Sequence, residues 1–173
     1  MTVATAVRGP AALPGLLQAC HLGPVVAVTV FATAVALATG MPTVSVGLLF
    51  AAALAGQLSV GWSNDWVDAA RDAAVARADK PVASGRVAVE TVRRAAVTAA
   101  ALCVPLSLAL GWRAGTLHLA AVASAWWYNT HLKTTAWSWA PYAFSFAALP
   151  SVATLALPGR LLAPVWAGAA GAL

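Results

Sequence analysis

The sequence predicts an all-α fold, a polytopic transmembrane helical bundle, and three observations lead to that class. Hydrophobic residues make up 61% of the 173 residues and charged residues only 9%, whereas soluble domains carry roughly 25% charged residues. The mean hydropathy is +0.81. The apolar residues form continuous runs, close to the length of about 20 residues that a helix needs to cross a bilayer.

Five apolar windows mark the expected helices, and each ends at glycine, proline or polar residues, which commonly terminate helices. The windows cover about residues 16–39, 43–63, 91–111, 114–131 and 137–158. The separating segments are 40–42, 64–90, 111–113, 131–135 and 158–160. A sixth run, 161–173, is too short to span, so the chain is expected to end inside a helix.

Basic side chains indicate how the helices are oriented. If successive windows cross the membrane in turn, eight Lys and Arg side chains fall on one side and two on the other. The eight are Arg8, Arg71, Arg77, Lys80, Arg86, Arg93, Arg94 and Lys133, and the two are Arg113 and Arg160. The positive-inside rule places the richer side in the cytoplasm. The N-terminal segment 1–15 and the loop 64–90 are therefore expected there, and the net charge of +5 is interpreted as a topology signal rather than a nucleic-acid surface.

The cysteines and two of the histidines are expected to be packing residues. Cys20 and Cys103 lie inside apolar runs, and neither belongs to a CxxC pattern that would indicate a disulfide framework or a zinc site. His21 and His118 lie near opposite ends of the bundle, where a hydrogen-bonded packing role is the commoner one.

Acidic residues are concentrated in one short stretch. The chain has five acidic residues, of which four lie within positions 59–87 and the fifth, Glu90, just beyond. If the second helix continues past Trp62, then Asn64, Asp65, Asp68 and Asp72 share a face about 100° wide. Gln57 and Gly61 extend this face toward the membrane interior.

Carboxylates on this face cannot point at lipid, because a charge at the bilayer centre costs on the order of 2.5–3.5 kcal/mol even on the most lenient scale. They are expected to face a cavity, cations or both. Mg²⁺ suits such a face, since it takes oxygen ligands and is typically held by one or two carboxylates plus substrate phosphates. The expected metal ligands are Asn64, Asp65, Asp68 and Asp72.

Basic side chains on the same side of the membrane suggest an anionic ligand. Arg77, Lys80 and Arg86 follow the acidic face in a loop punctuated by proline and glycine, and Lys133 comes after Tyr128 in the next loop on that side. Such side chains can fold over a phosphate group. Together with a lipid-side cavity, they point to an amphiphile with a metal-chelating headgroup, such as a prenyl diphosphate.

Simpler interpretations remain open for these charges. The aspartates could belong to a solvated helix end, and topology alone would place Arg77, Lys80 and Arg86 where they are. Asp79 beside Lys80 could form an ordinary surface pair. A membrane protein that binds or transports cations would also direct carboxylates inward.

The order of these residues resembles one known family. Asn64-Asp65-x-x-Asp68-x-x-x-Asp72 is followed by Arg77, Lys80-Pro81 and Ser84-Gly85-Arg86. This order looks like the first aspartate-rich motif of the UbiA superfamily of intramembrane prenyltransferases, NDxxDxxxD followed by RxxRP and SGR, with Lys80 in place of the more usual arginine. The segment from Tyr128 to Lys133 is similar to the family's tyrosine-to-lysine segment. The resemblance runs from about residue 16 to the end of the chain.

The resemblance implies transfer of a prenyl group from a prenyl diphosphate to an aromatic or other lipophilic acceptor, with Mg²⁺ as cofactor and the lipid bilayer as surroundings. It implies that Asp68, Asp72 and Lys133 are catalytic residues. Those implied to bind substrate are Asn64, Asp65, Arg77, Lys80, Arg86 and Tyr128. Gln57 is expected to join them from the pocket lining, because a polar side chain within the membrane must point inward. A terpene cyclase using the same diphosphate site, or a non-catalytic fragment, are the alternatives.

The resemblance also implies a longer fold. Family members have about nine transmembrane helices and carry a second aspartate-rich motif after the sixth. The present chain is expected to supply five complete helices and the start of a sixth, and hence half of the implied metal site.

Overall fold

The computed structural model describes residues 12–157, and every regular element in this range is helical. The elements are α1 (Ala12–Ala19), α2 (Leu22–Ala38), α3 (Thr43–Ala74), α4 (Val89–Leu108), α5 (Trp112–Trp127), a π-helical segment (Tyr128–Leu132) and α6 (Ala140–Leu155). The predicted all-α class is confirmed. The expected sixth run, 161–173, lies outside the described residues, as do Arg8 and Arg160.

The first apolar window forms two helices, and the expectation of one continuous helix is wrong. α1 and α2 are bent by 64° relative to each other, and His21 between them has a left-handed backbone with φ of 57°. Pro24 accounts for the break, because a continuous helix would lose the hydrogen bond that its missing N–H cannot donate. In the first turn of a new helix that N–H would have no intrahelical partner anyway.

The helices differ in how well they could span a membrane alone. Within residues 12–157, α3 and α4 are long and apolar enough by length and composition, and α1 with α2 makes a third if the bent pair counts as one span. α6 is a shorter apolar helix of 16 residues. α5 continues directly into the π-helical segment, so that helical structure runs from residue 112 to residue 132.

α3 is the central helix of the bundle and contacts α1, α2, α4, α5 and the π-helical segment. Glycine permits one of these close approaches, because a Cβ atom on Gly61 would overlap the carbonyl group of Cys20 at the end of α1. Small residues at helix crossings are the usual means of tight packing in membranes. The end of α1 is thereby placed beside the acidic face of α3.

Two apolar clusters lie toward opposite ends of the bundle. The larger joins α2, α3, α5 and α6 to the loops at residues 40–42 and 109–111, and consists of Ala32, Ala36, Met41, Val46, Leu49, Ala52, Ala53, Leu110, Ala114, Val152 and Ala153. The smaller consists of Ala19, Val87 and Val92, packed beneath Trp62 and Trp66. It holds the loop 75–88 against α1 and α3, at the end of the bundle that carries the aspartates.

Candidate functional site

Three aspartates of α3 are buried on the inner face of the helix. Asp65 is 1% exposed, Asp68 8% and Asp72 5%. Their spacing of three and four residues matches the helical period, which keeps them on one side of the helix. The expectation that these carboxylates avoid lipid agrees with this burial.

Asp65 is held by two nitrogen donors from outside its own helix. Its Oδ1 lies 2.7 Å from Lys80 Nζ and 2.8 Å from His21 Nε2. Its Oδ2 is buried and has no hydrogen-bond partner among the described residues. The carboxylate therefore retains one unsatisfied acceptor, an unusual state for a buried polar atom.

The other two carboxylates of this face are also paired with cations. Asp68 binds Lys133, from the loop after the π-helical segment, and Arg71 Nη2 at 3.0 Å. Asp72 Oδ1 lies 4.0 Å from Arg77 Nη1. Each buried carboxylate thus has at least one basic neighbour, and the negative charge of the face is balanced within the bundle.

Arg77 has a second and closer partner in Asp79, through hydrogen bonds of 2.8 and 2.7 Å. These hydrogen bonds lower the pKa of the Asp79 carboxyl group to about 2 and raise the pKa of Arg77. Asp79 pairs with Arg77 and not with Lys80, the surface partner suggested by the sequence, because Lys80 turns inward to Asp65. Since Arg77 is half-exposed, it can reach a ligand at the surface of the site.

Arg86 is not brought into the carboxylate cluster. Its guanidinium donates to Gln18 Oε1 at 2.6 Å and to the carbonyl oxygen of Asp79 at 2.8 Å. In this arrangement Arg86 ties the loop 75–88 to α1. Its predicted contact with substrate would require it to leave these partners.

Asn64 is part of an amide pair between α3 and the π-helical segment. Its Nδ2 donates to Asn129 Oδ1 at 3.1 Å, and Asn129 Nδ2 donates to Ser63 Oγ at 2.8 Å and to the Val60 carbonyl at 2.9 Å. The Oδ1 of Asn64 is left as its available acceptor. The arrangement fixes the π-helical segment, and with it the loop of Lys133, beside the aspartates.

A cavity of about 380 Å³ opens next to this cluster and extends into the bundle. Gln57, Asn64 and Tyr128 line it, as do Asn129 and His21. Farther in, most of the wall is aliphatic and comes from α2, α3, α5 and α6. The cavity therefore joins a polar part, beside the charged cluster, to an apolar interior.

Sequence reasoning missed two residues of this cluster. His21 was expected to be a packing residue, yet it bonds to Asp65 because the break between α1 and α2 turns its side chain toward α3. Asn129 was passed over beside Tyr128 and Lys133. A polar side chain within the apolar run that precedes the 131–135 loop is the signal that could have indicated Asn129; for His21, Pro24 could have indicated the break.

The donor set fits a magnesium ion that has further ligands from a substrate. Within the described residues, no three His, Cys, Asp or Glu side chains are grouped so that they could hold a metal ion by themselves. The face does offer carboxylate and amide oxygens, including the unsatisfied Oδ2 of Asp65. Mg²⁺ is commonly bound in this way, through one or two carboxylates plus phosphate oxygens and water.

Comparison with known proteins gives one match. The family model described as the UbiA prenyltransferase family matches residues 25–173. This range includes all of the acidic face, the loop 75–88 and the segment of Tyr128 and Lys133. No curated protein and no solved structure gives a significant match.

Proposed function

Because the chain belongs to the UbiA prenyltransferase family and its apolar helices make it an integral membrane protein, we propose that it transfers a prenyl group from a prenyl diphosphate to a lipophilic acceptor. One observation supports this reaction above all: the buried aspartate face of α3, with its paired cations, lies directly beside Asn64 and His21, which line the polar part of a mostly apolar cavity. An amphiphile with a charged head and a hydrocarbon tail suits both parts.

The diphosphate group would bind at the polar end. Lys80 and Lys133 are both 15% exposed and already held by carboxylates, and the half-exposed Arg77 stands at the edge. Ammonium and guanidinium groups form strong charge-assisted hydrogen bonds with phosphate oxygens. On binding, these side chains would exchange a carboxylate partner for a phosphate, so that no basic side chain has to move in from the solvent.

The carboxylates released in that exchange would hold Mg²⁺ through Asp65, Asp68 and Asp72, with Asn64 Oδ1 as a further oxygen ligand. When bound, such an ion stabilises the negative charge that builds up on a departing diphosphate. Lys133 would bind the same phosphate group from the opposite side. Asp68 and Asp72 would then be free to bind the ion, and Arg71, which takes no part in the exchange, would keep the Asp68 carboxylate in place.

The hydrocarbon chain would lie in the cavity. Tyr128 lines its polar end beside Asn64, where the reacting carbon would be placed, and Gln57 lines the cavity about two turns of α3 deeper. The ring of Tyr128 packs edge-on against Tyr142, with ring centroids 5.0 Å apart. Aromatic faces of this kind can stabilise an allylic cation, and the surrounding apolar wall excludes water that would otherwise capture it.

The basic loops support a cytoplasmic location for this site. Arg71, Arg77, Lys80, Arg86 and Lys133 all lie at the aspartate end of the bundle, and the positive-inside rule places such an end in the cytoplasm. Cysteine accessibility labelling of Ala83→Cys in intact cells tests the orientation. If the loop 75–88 is cytoplasmic, the introduced thiol should react only after the membrane is permeabilised.

The decisive experiment measures Mg²⁺-dependent diphosphate release by the full-length protein in membranes. Asp68→Asn keeps the shape of the side chain but removes its charge, and it should abolish release. Glu90→Gln is the matched control, because Glu90 pairs with Arg93 and Arg94 away from the cavity. Turnover of Asp68→Asn at the unsubstituted rate would refute the proposal.

The same assay separates transfer from cyclisation. If the enzyme cyclises the prenyl chain, a prenyl diphosphate supplied without any acceptor yields a hydrocarbon or a terpene alcohol. If it is a transferase, organic product appears only when an acceptor is present. Analysis of the extracted products therefore identifies the reaction type.

A further inference from the structure

His118 lies on the cavity wall against Gly56, about two turns of α3 deeper than Asn64, and belongs to a small polar cluster between α4 and α5. Its Nδ1 is 2.7 Å from Ser107 Oγ. The same hydroxyl group donates to the Cys103 carbonyl oxygen at 2.6 Å. Ser107 is fully buried, so these hydrogen bonds are shielded from water.

These contacts determine which ring nitrogen of His118 carries the proton. A serine hydroxyl has one proton to donate, and here that proton goes to the Cys103 carbonyl, which can only accept. The remaining bond between Ser107 Oγ and Nδ1 therefore requires an N–H on Nδ1. Among the described residues the cavity lining contains no carboxylate, and an unpaired buried charge is strongly disfavoured. The ring is accordingly neutral, and Nε2 is a bare acceptor.

Nε2 has no hydrogen-bond partner within residues 12–157. The Cε1–Nε2 edge of the ring faces α3 at Gly56, where an added Cβ atom would lie 3.4 Å from both ring atoms. His118 is itself part of the cavity wall. The one acceptor that the imidazole has left is therefore offered to whatever occupies the cavity.

The surroundings of this acceptor are apolar. Val122 packs beside the ring at Gly56, and Ala52 and Ala53 line the cavity one turn of α3 away; the polar exception is Gln57, the residue after Gly56. Gly56 precedes Asn64 by eight residues on α3, which corresponds to about 12 Å along the helix axis. A prenyl chain carries no hydrogen-bond donor, so it would leave Nε2 unsatisfied, and buried acceptors in that state are rare.

We propose that the cavity wall at His118 recognises a hydroxyl or N–H group of a lipophilic ligand, and that this ligand places its donor about 12 Å along α3 from Asn64. Recognition of such a ligand does not depend on the proposed function. Only its identification as the prenyl acceptor rests on that function. It predicts an acceptor that has a polar donor remote from its reacting atom. Ser107 is the positioning residue, because it sets the tautomer.

The test uses the full-length protein in nanodiscs and two probes that differ in one group, 4-hexylphenol and its methyl ether 4-hexylanisole. Affinities are measured without Mg²⁺ or diphosphate and corrected for partition into empty nanodiscs. The phenol should bind at least about 10-fold more tightly than the ether, the size of effect expected when a buried acceptor is left unpaired. Failure of prenyl transfer would not affect this measurement.

Two variants show whether the preference for the phenol comes from His118. His118→Leu should remove the preference for the phenol, whereas Ser145→Ala, which trims another polar residue of the cavity wall, should retain it. No preference in the unsubstituted protein, or a preference that persists in His118→Leu, would overturn the proposal.

The tautomer offers a second test that needs no ligand. The chain has three histidines, so an NMR spectrum of the protein with ¹⁵N-labelled histidine contains few ring signals. The signals that are absent from the spectrum of His118→Leu belong to His118. We expect a protonated Nδ1 and a bare Nε2, and a loss of this tautomer in Ser107→Ala. Detection of Nε2–H as the main form in the unsubstituted protein would contradict the assignment.

Discussion

Asp65 on α3 and Lys80 in the following loop form an ion pair of 2.7 Å, although they are 15 residues apart, and both are largely withdrawn from solvent at 1% and 15% exposure. The pair fastens the loop 75–88 to the acidic face. It also keeps the cation that the proposed diphosphate would need within reach of the cavity.

Removing Lys80 should therefore affect stability as well as activity. Lys80→Ala leaves the buried Asp65 with His21 as its only described side-chain partner, and loss of a hydrogen bond to a charged group costs about 1.5–3 kcal/mol. Unfolding of the purified protein in detergent measures the change. In a double-mutant cycle, Asp65→Asn should cancel much of the loss; strictly additive effects would show that the pair is not coupled.

Lys133 should matter for substrate binding. Lys133→Ala removes a cation that contacts Asp68, and we expect kcat/KM for the prenyl diphosphate to fall about 10- to 100-fold, the equivalent of about 1.4–2.8 kcal/mol of charge-assisted binding. Steady-state kinetics provide the measurement. Arg94→Ala is the control, because Arg94 is exposed and pairs with Glu90. Equal losses in both variants would indicate a general effect of charge.

Gly61 should tolerate no side chain. In Gly61→Ala the new methyl group would overlap the carbonyl of Cys20, and α1 would have to move away from α3. Overpacking of this kind costs typically about 1–3 kcal/mol. Gly47→Ala on the same helix is the matched control, since Gly47 is exposed and nothing lies within 4 Å of the added Cβ atom. Thermal unfolding of the two variants should differ clearly, and similar midpoints would argue against this contact.

Magnesium and diphosphate should bind together. No three acidic, histidine or cysteine side chains among the described residues are grouped to hold a metal ion, so the chain alone should bind Mg²⁺ weakly. Inorganic diphosphate supplies the missing oxygens and should tighten binding at least about 10-fold. Isothermal titration calorimetry with and without inorganic diphosphate measures this coupling. Equal affinities in both titrations would mean that the metal does not bridge protein and phosphate.

The pattern along the chain was sufficient for the main features of the fold and for one face of the site. Continuous apolar runs predicted an all-helical membrane protein, because a bilayer accepts only segments whose backbone groups are paired internally. The spacing of Asp65, Asp68 and Asp72 predicted one inward face, because the helical period is a local property. The order of motifs from Asn64 to Arg86 indicated the family that the comparison then confirmed.

The partners of the site residues depended on contacts between segments far apart in the chain. His21 meets Asp65 across 44 positions and Asn129 meets Asn64 across 65, and no local pattern encodes such distances. Arg86 stays a predicted substrate-binding residue, and its contact with Gln18 of α1 could not be read from the sequence. The sequence by itself determined the class of protein and the direction in which the aspartates face. Only the tertiary structure decided which cations and amides meet them, because those side chains arrive from separate helices whose relative positions are set by packing at residues such as Gly61.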